Sequence, residues 1–322
     1  ASRELNLPST VIPVGNNAMQ AVGIAMQIKD DPGKPIVLCG LGDGTTQQGE
    51  VMEAMAEAAR SNLPVLFWIE DNGYAISTPT TGQTFYNFPP SKDQPFWGMA
   101  INHFDGRNIL PELDGIGALV DEVRQTRGPR IGVMRVDRLC NHSNADDQRI
   151  YRDADTLVTL NEKSNAVVNL RKALIEAGVD EVKLDEADAA IESECRAAAE
   201  QSRRVGDPEA CMTASRPLAP EIAPGADEYH GTSDSDESIT MIDAMRRVLS
   251  SKLKDDDRVT LLGQDIEDPK GDVFGVTKGL STAYPGRVVN APLSESTIIG
   301  SSIGRALAGG RPVGFIQFAD FL

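Results

Sequence analysis

Histidine is scarce, with three residues in 322, and the four cysteines (Cys39, Cys140, Cys195, Cys211) form no CxxC pair. A zinc site of the Cys/His kind is therefore not expected. The isolated thiols fit a reducing compartment, so a cytoplasmic location is expected. Cations are outnumbered: 31 Lys and Arg against 48 Asp and Glu leave a net charge of −17. That argues against nucleic acid or an anionic membrane as the main partner. No apolar run approaches the roughly 20 residues that span a bilayer. The opening ASRELNLPST lacks the basic stretch and apolar run of a signal peptide. It also lacks a starting Met, and the closing GFIQFADFL stops on a strand-like run. Both ends read as cut from something longer. Aromatics make up only 5%, yet 40% of the residues are apolar, enough for a packed core in two or three domains.

What is present is an alternation of strands and helices. PIVLCGLG (35–42) reads as a buried strand, QQGEVMEAMAEAARSN (47–62) as a helix, and LPVLFWIEDNG (63–73) as a second strand. A strand–helix–strand unit of that length predicts a parallel pair with a right-handed crossover. A helix precedes it (18–30). Strands at 98–106 and 130–137 flank a helix at about 110–127. Residues 153–206 are charged amphipathic helices. Residues 207–237, rich in Pro, Ala and acid, read as a linker. A second pattern follows: helix then strand over 238–265, a helix at about 275–284, a strand at RVVNAPL, a helix at about 295–308 and a strand from Arg311. The expected fold is α/β, with two parallel sheets flanked by helices, the second incomplete.

The first strand ends on Gly42-Asp43-Gly44. A turn is the plain reading of such a triplet, with the Asp as a helix cap. A second reading is available because ligands of parallel sheets bind beyond the carboxyl ends of strands. Asp43 lies at one such end, and Asn72 and Tyr74 at the next. A carboxylate, an amide oxygen and a backbone carbonyl are hard donors suited to Mg²⁺ or Ca²⁺. A helix from about Thr46 would point its N–H groups at a phosphate. The triplet alone favours the turn.

The wider wording shifts that balance. GDG followed by 27 residues and then Asn72 resembles the thiamine diphosphate motif. LGDGTTQQGEVMEAMAEAARSNLPVLFWIEDNGYAISTPT is similar to the α subunit of the thiamine-dependent, decarboxylating component of 2-oxo acid dehydrogenases. The resemblance implies that Asp43, Asn72 and the carbonyl of Tyr74 hold Mg²⁺ on the diphosphate, with Gly42 and Gly44 allowing its approach. PVGNNAMQAVGIA (13–25) resembles the helix start beside the cofactor, which places Val14 near the thiamine. RLCNHSNADDQRIYR (138–152) resembles a mobile active-site loop. It implies that Arg138 and His142 contact cofactor or substrate, and that Asp146, Asp147, Tyr151 and Arg152 order the loop. On its own, His142 would read as a solvated loop histidine. RVVNAPLSESTIIGSSIGRALAGGRPVGFIQFADFL resembles the start of the β subunit. There Glu295 would meet the aminopyrimidine ring nitrogen, with Leu293, Gln317 and Phe321 lining the pyrimidine side. Ser294 is also a good helix N-cap and Glu295 suits a first turn.

The resemblance therefore implies a fused α–β chain: residues 1–206 diphosphate- and metal-binding, 207–237 a linker, 238–322 the start of a pyrimidine-binding domain. It implies oxidative decarboxylation of a 2-oxo acid, with 2-oxoisovalerate and related branched-chain acids first and pyruvate or acetoin enzymes as alternatives. The acyl group would pass to the lipoyl domain of a dihydrolipoyl acyltransferase, and the fused chain would form a homodimer. Three positions depart from the pattern: Glu70 where Arg is frequent, Asn141 before His142, and Gln264 where Glu is frequent. They keep open a non-catalytic partner protein built on a decayed thiamine fold. A transketolase-like enzyme for sugar phosphates is a third reading, for which no histidine cluster is available.

Overall fold

The computed structural model describes residues 4–8, 13–90, 94–144, 146–204, 238–291 and 294–318. The expected linker 207–237, Leu293 and Phe321 lie outside them. The chain divides into two compact units, Ala1–Leu170 with Thr240–Leu322, and Arg171–Ile239.

The first unit holds two parallel sheets, as the alternating pattern predicts. After α1 (Asn16–Ile28) come β1 (Val37–Gly42), α2 (Gly49–Ser61) and β2 (Val65–Asp71). A short hairpin follows, β3 (Tyr74–Ala75) with β4 (Thr78–Pro79). Then come β5 (Ile101–Asp105), α3 (Leu113–Thr126) and β6 (Arg130–Arg135). The sheet order is β1-β2-β6-β5, all parallel. Its strands are apolar because helices cover them. Val51, Met55 and Ala58 of α2, at helical spacing, pack with Phe67 and Ile69 of β2 in one buried cluster. Burying each such side chain contributes about 1.5–3 kcal/mol. α4 (Ala154–Lys163) and α5 (Ala166–Glu176) follow β6.

The second sheet comes from α7 (Met241–Asp255), β7 (Val259–Gly263), α8 (Leu280–Ala283), β8 (Val288–Asn290), α9 (Glu295–Leu307) and β9 (Arg311–Phe315), with order β8-β7-β9, again parallel. Its core is Leu253, Val259, Leu261, Ile266, Leu280 and Val288.

One element differs from expectation. The helix predicted over 275–284 shrinks to α8, because Gly275 and Gly279 take positive φ (80° and 86°) and break the helical path. The buried Asp272 organises the turn instead, accepting from the N–H groups of Phe274, Gly275 and Val276.

The second unit is built around α6 (Glu181–Arg204). Arg171 reaches the carboxylates of Asp185, Asp188 and Glu181 on its first two turns. No helix among the described residues is long and apolar enough to cross a membrane.

Candidate active site

In register, Gly42 of β1 pairs with Glu70 of β2. Asp43 and Asp71-Asn72 thus emerge side by side at the carboxyl end of the sheet. Asp43 is 1% exposed. Its backbone is tied down by Thr46, whose N–H and hydroxyl both donate to the Asp43 carbonyl. The carboxylate accepts a short hydrogen bond on Oδ2 from the Thr80 hydroxyl. Burial raises the proton affinity of Asp43, the Thr80 bond works against this, and the nearby charge of Asp71 adds to it. The Tyr86 hydroxyl is also pushed up, first by burial and then by Asp71.

Asn72 and Tyr74 are fixed by a local turn: Asn72 Oδ1 accepts from the Tyr74 N–H at 3.1 Å, and Asp71 Oδ1 from the Gly73 N–H at 3.0 Å. A carbonyl-type oxygen has two lone pairs, so the Asn72 oxygen can take a further partner beside the Tyr74 N–H. The Asp43 carboxylate is met by the Thr80 hydroxyl and by nearby backbone N–H groups. A buried carboxylate with a like charge beside it is stable only with a cation or a proton. The oxygen donors of Asp43, Asn72 and the Tyr74 backbone fit a hard divalent ion.

Two details around the Gly-Asp-Gly turn differ from expectation. The N–H groups after Asp43 belong to a 3₁₀ turn, Gly44–Gln47, and α2 begins only at Gly49 with Gln48 at its N-cap. Asp43 makes no side-chain cap. A Cβ on Gly44 would lie 2.6 Å from the Cβ of Ala75, so Gly44 is required by the hairpin packed over it.

The 138–152 loop docks on that hairpin. Arg138 Nη1 donates to the Ile76 carbonyl at 2.8 Å and Nη2 to the Tyr151 hydroxyl at 2.6 Å. Arg138 and Arg152 both lie over the Tyr74 ring, at 5.6 and 5.1 Å from its centroid. Tyr151 donates in turn to Asp146 Oδ2 at 2.7 Å, and the same oxygen accepts from the His142 N–H at 2.8 Å. These two bonds, that from His142 the larger, hold the Asp146 carboxyl below its ordinary range. The His142 side chain is exposed on this braced loop. Asp147 instead pairs with Arg149 and caps a short 3₁₀ turn. Val14, two residues before α1, is 58% exposed.

The other half of the predicted site gathers at the carboxyl ends of β7 and β9. Gln264 Nε2 donates to Glu295 Oε1 at 3.0 Å. Gln317 Nε2 donates to the Gln264 carbonyl at 2.6 Å. Glu295 opens α9, and its carboxyl is held below the usual range chiefly by the Gln264 amide. Ser294 occupies the N-cap position without a side-chain capping bond.

The two halves meet through helices. α1 packs along α9, and α2 also touches α9. The Thr297 hydroxyl of α9 donates to Glu53 Oε2 of α2 at 3.1 Å. Thr297 is two residues past Glu295, and Glu53 ten residues past Asp43.

Sequence reasoning missed Thr80, Asp71 and Tyr86. The available signal was the ISTPT segment, whose chain reversal after Asn72 had to return a polar residue to the first strand end.

The family described as Dehydrogenase E1 component matches residues 1–211. The Transketolase, pyrimidine binding domain family matches residues 237–322. Pyruvate dehydrogenase E1 component subunit alpha of Zymomonas mobilis is 34% identical over 159 residues, which is 49% of this chain and 44% of that protein. The mitochondrial 2-oxoisovalerate dehydrogenase subunit alpha of Caenorhabditis elegans is 29% identical over 178 residues, 55% of this chain and 41% of that one. The chain thus spans less than half the length of these relatives. Among solved structures, a Campylobacter jejuni transketolase superposes with a TM-score of 0.51 at 15% identity, covering 93% of this chain and 47% of its own. That likeness concerns the fold alone.

Proposed function

The chain belongs to the dehydrogenase E1 component family, and from that premise we propose that its protein decarboxylates a 2-oxo acid with thiamine diphosphate and Mg²⁺. The observation that carries this is the buried Asp43, with Asp71 beside it and Asn72 and the Tyr74 backbone at the neighbouring strand end. Asp43, Asn72 and the Tyr74 carbonyl would hold Mg²⁺, and the metal the diphosphate. The cofactor when bound supplies a carbon nucleophile and an electron sink for decarboxylation.

The protein's part is positioning and proton control. Glu295, an ionised carboxylate at the start of α9, would hold a proton at the aminopyrimidine ring nitrogen. Gln317, with Leu293 and Phe321, would bound the pyrimidine side. Val14 would stand near the thiamine at the start of α1. The loop braced by Arg138, Tyr151 and Asp146 would present His142 to the substrate as an anion contact or proton donor. Residues 1–206 would form the diphosphate half, 238–322 the pyrimidine half, and 207–237 the join between them.

The preferred substrate in this reading is a branched-chain 2-oxo acid such as 2-oxoisovalerate, the acid named in one of the relatives. Pyruvate, named in the other, is the second reading. The acyl group would pass to a lipoyl domain of an acyltransferase, and the fused chain would work as a homodimer in the cytoplasm.

The test uses the full-length protein. Reduction of an artificial electron acceptor is followed with 2-oxoisovalerate and with pyruvate, with and without thiamine diphosphate and Mg²⁺. Cofactor-dependent turnover supports the class. Saturation by pyruvate at a far lower concentration transfers the assignment to pyruvate. No turnover and no cofactor binding by calorimetry would overturn the reading in favour of a non-catalytic partner protein.

A further inference from the structure

Gln264 follows β7 and is 4% exposed. Its side-chain Nε2 donates to Oε1 of Glu295 at 3.0 Å. Its own main chain is held by Gln317, whose Nε2 donates to the Gln264 carbonyl at 2.6 Å. Gln317 is steadied from the other side, its Oε1 accepting from the Val273 N–H at 3.4 Å. Segments after β7, after β9 and before α8 thus converge on one carboxylate at the head of α9. The amide of Gln264 is the leading hydrogen bond on the Glu295 carboxylate, ahead of the residue's own backbone N–H.

The chemistry of that partner matters. An amide nitrogen donates and cannot accept, so it complements an ionised carboxylate. A hydrogen bond to the charged form favours that form, and Glu295 is lowered with Gln264 as the largest cause. The charged groups around it do not reverse this. Gln264 and Gln317 are neutral. Glu53 of α2 faces α9 and accepts from Thr297. Asp265, next to Gln264, is exposed. Asp272 is occupied by three backbone N–H groups. From α1, Met19 packs against this part of α9, contributing no charge.

We propose that Gln264 is a positioning residue for Glu295, holding it as an aimed, ionised acceptor so that an aminopyrimidine ring binds with uptake of one proton from solvent. The proposal rests on the reading of Glu295 as the residue that meets that ring. Before binding, the carboxylate and the ring nitrogen are both unprotonated near neutral pH. Afterwards one proton lies between them, and the buffer supplies it.

The experiment is calorimetry of thiamine diphosphate binding to the full-length protein with Mg²⁺, in buffers of different ionisation enthalpy. The wild type is expected to take up close to one proton per cofactor. Gln264→Glu would place a second carboxyl against Glu295, and the pair would already share a proton, so uptake should fall below half of the wild-type value. Gln264→Met keeps the volume but donates nothing, and affinity should fall about tenfold with a smaller uptake. Glu295→Gln should bind with no uptake. Wild-type uptake in both Gln264 variants would overturn the inference while leaving Glu295 in place. Wild-type uptake in Glu295→Gln, or no cofactor binding to the wild type, would overturn both this inference and the reading beneath it.

Discussion

Asp43 is a carboxylate whose burial makes sense only with company. Its hydroxyl partner, Thr80, is delivered by a hairpin that starts at Tyr74, and the Thr80 N–H is in turn anchored to the Gly73 carbonyl at 3.0 Å. The Thr80 hydroxyl on Oδ2 fixes how the Asp43 carboxylate is turned. Partners of this kind set the orientation of metal-binding carboxylates, and losing them typically costs 10–100-fold in affinity. Thr80→Val should therefore weaken Mg²⁺ binding by about tenfold or more in calorimetry with thiamine diphosphate present, and Thr80→Ser should restore it. Equal Mg²⁺ affinity in the valine variant would show that the hydroxyl does not orient the ligand. Asp43→Asn removes a charge that is buried beside a like charge. It should raise the melting temperature of the metal-free protein and abolish any further rise on adding Mg²⁺ with the cofactor. At this scale the expected placement of Asp43, Asn72 and Tyr74 at strand ends and of Glu295 in the first turn of a helix agrees with the structure, while their roles toward a cofactor stay part of the proposal. The sequence was silent on Thr80 and Gln264 as partners. A hydrogen bond across 37 or 31 positions depends on how strands are brought together, and no local pattern carries it.

Strands and helices were legible where the apolar period was long. β1, β2, β6, α2 and α9 fall within a few residues of expectation, because continuous apolar runs and 3.6-residue spacing reflect covering on both faces or on one. The turn before α8 was not, since two glycines at positive φ override an otherwise plausible helix. That same turn carries a test of its own. The carboxylate of Asp268 accepts from the Gly279 N–H at 2.6 Å, the Ser281 hydroxyl at 2.8 Å, and the Thr282 N–H and hydroxyl at 3.0 and 2.7 Å. These bonds, with Gly279 first, depress its proton affinity far below the ordinary value. A depressed folded value means stability that is fully present above an unfolded value of about 4 and lost as the pH falls toward the folded one. Asp268→Asn should lower the melting temperature at pH 7, by the equivalent of about 1–2 kcal/mol. The gap to wild type should narrow as acid is added below pH ~4. A gap that stays constant with pH would assign the effect to packing.

Across the whole molecule, the segments on either side of the expected linker are joined chiefly by the α1–α9 helix pair, with α2 also touching α9. α1 and α9 approach so closely that a Cβ at Gly23 would strike the Ser301 backbone, one at Gly300 the Met19 side chain, and one at Gly304 the Gln20 carbonyl. Both helices were legible in the sequence, at 18–30 and about 295–308, but their pairing across some 270 residues was not. Gly304→Ala should overpack the contact and lower stability by about 1–3 kcal/mol. Gly117→Ala, where a Cβ meets nothing within 4 Å, should be neutral or slightly stabilising by its helix propensity. The same contact gives the expected linker a testable status. If α1 and α9 hold the halves together, the covalent join between them is dispensable for assembly. The full-length protein expressed as two chains, cut between residues 207 and 237, should co-elute as one species and keep its cofactor affinity within a few fold. Joining two chains into one alters chiefly the effective concentration of one half near the other. Dilution should therefore separate the two-chain form before the fused one. Halves that elute apart at micromolar concentration would mean that the helix contact is too weak to stand alone, and that the join itself keeps α1 and α9 together.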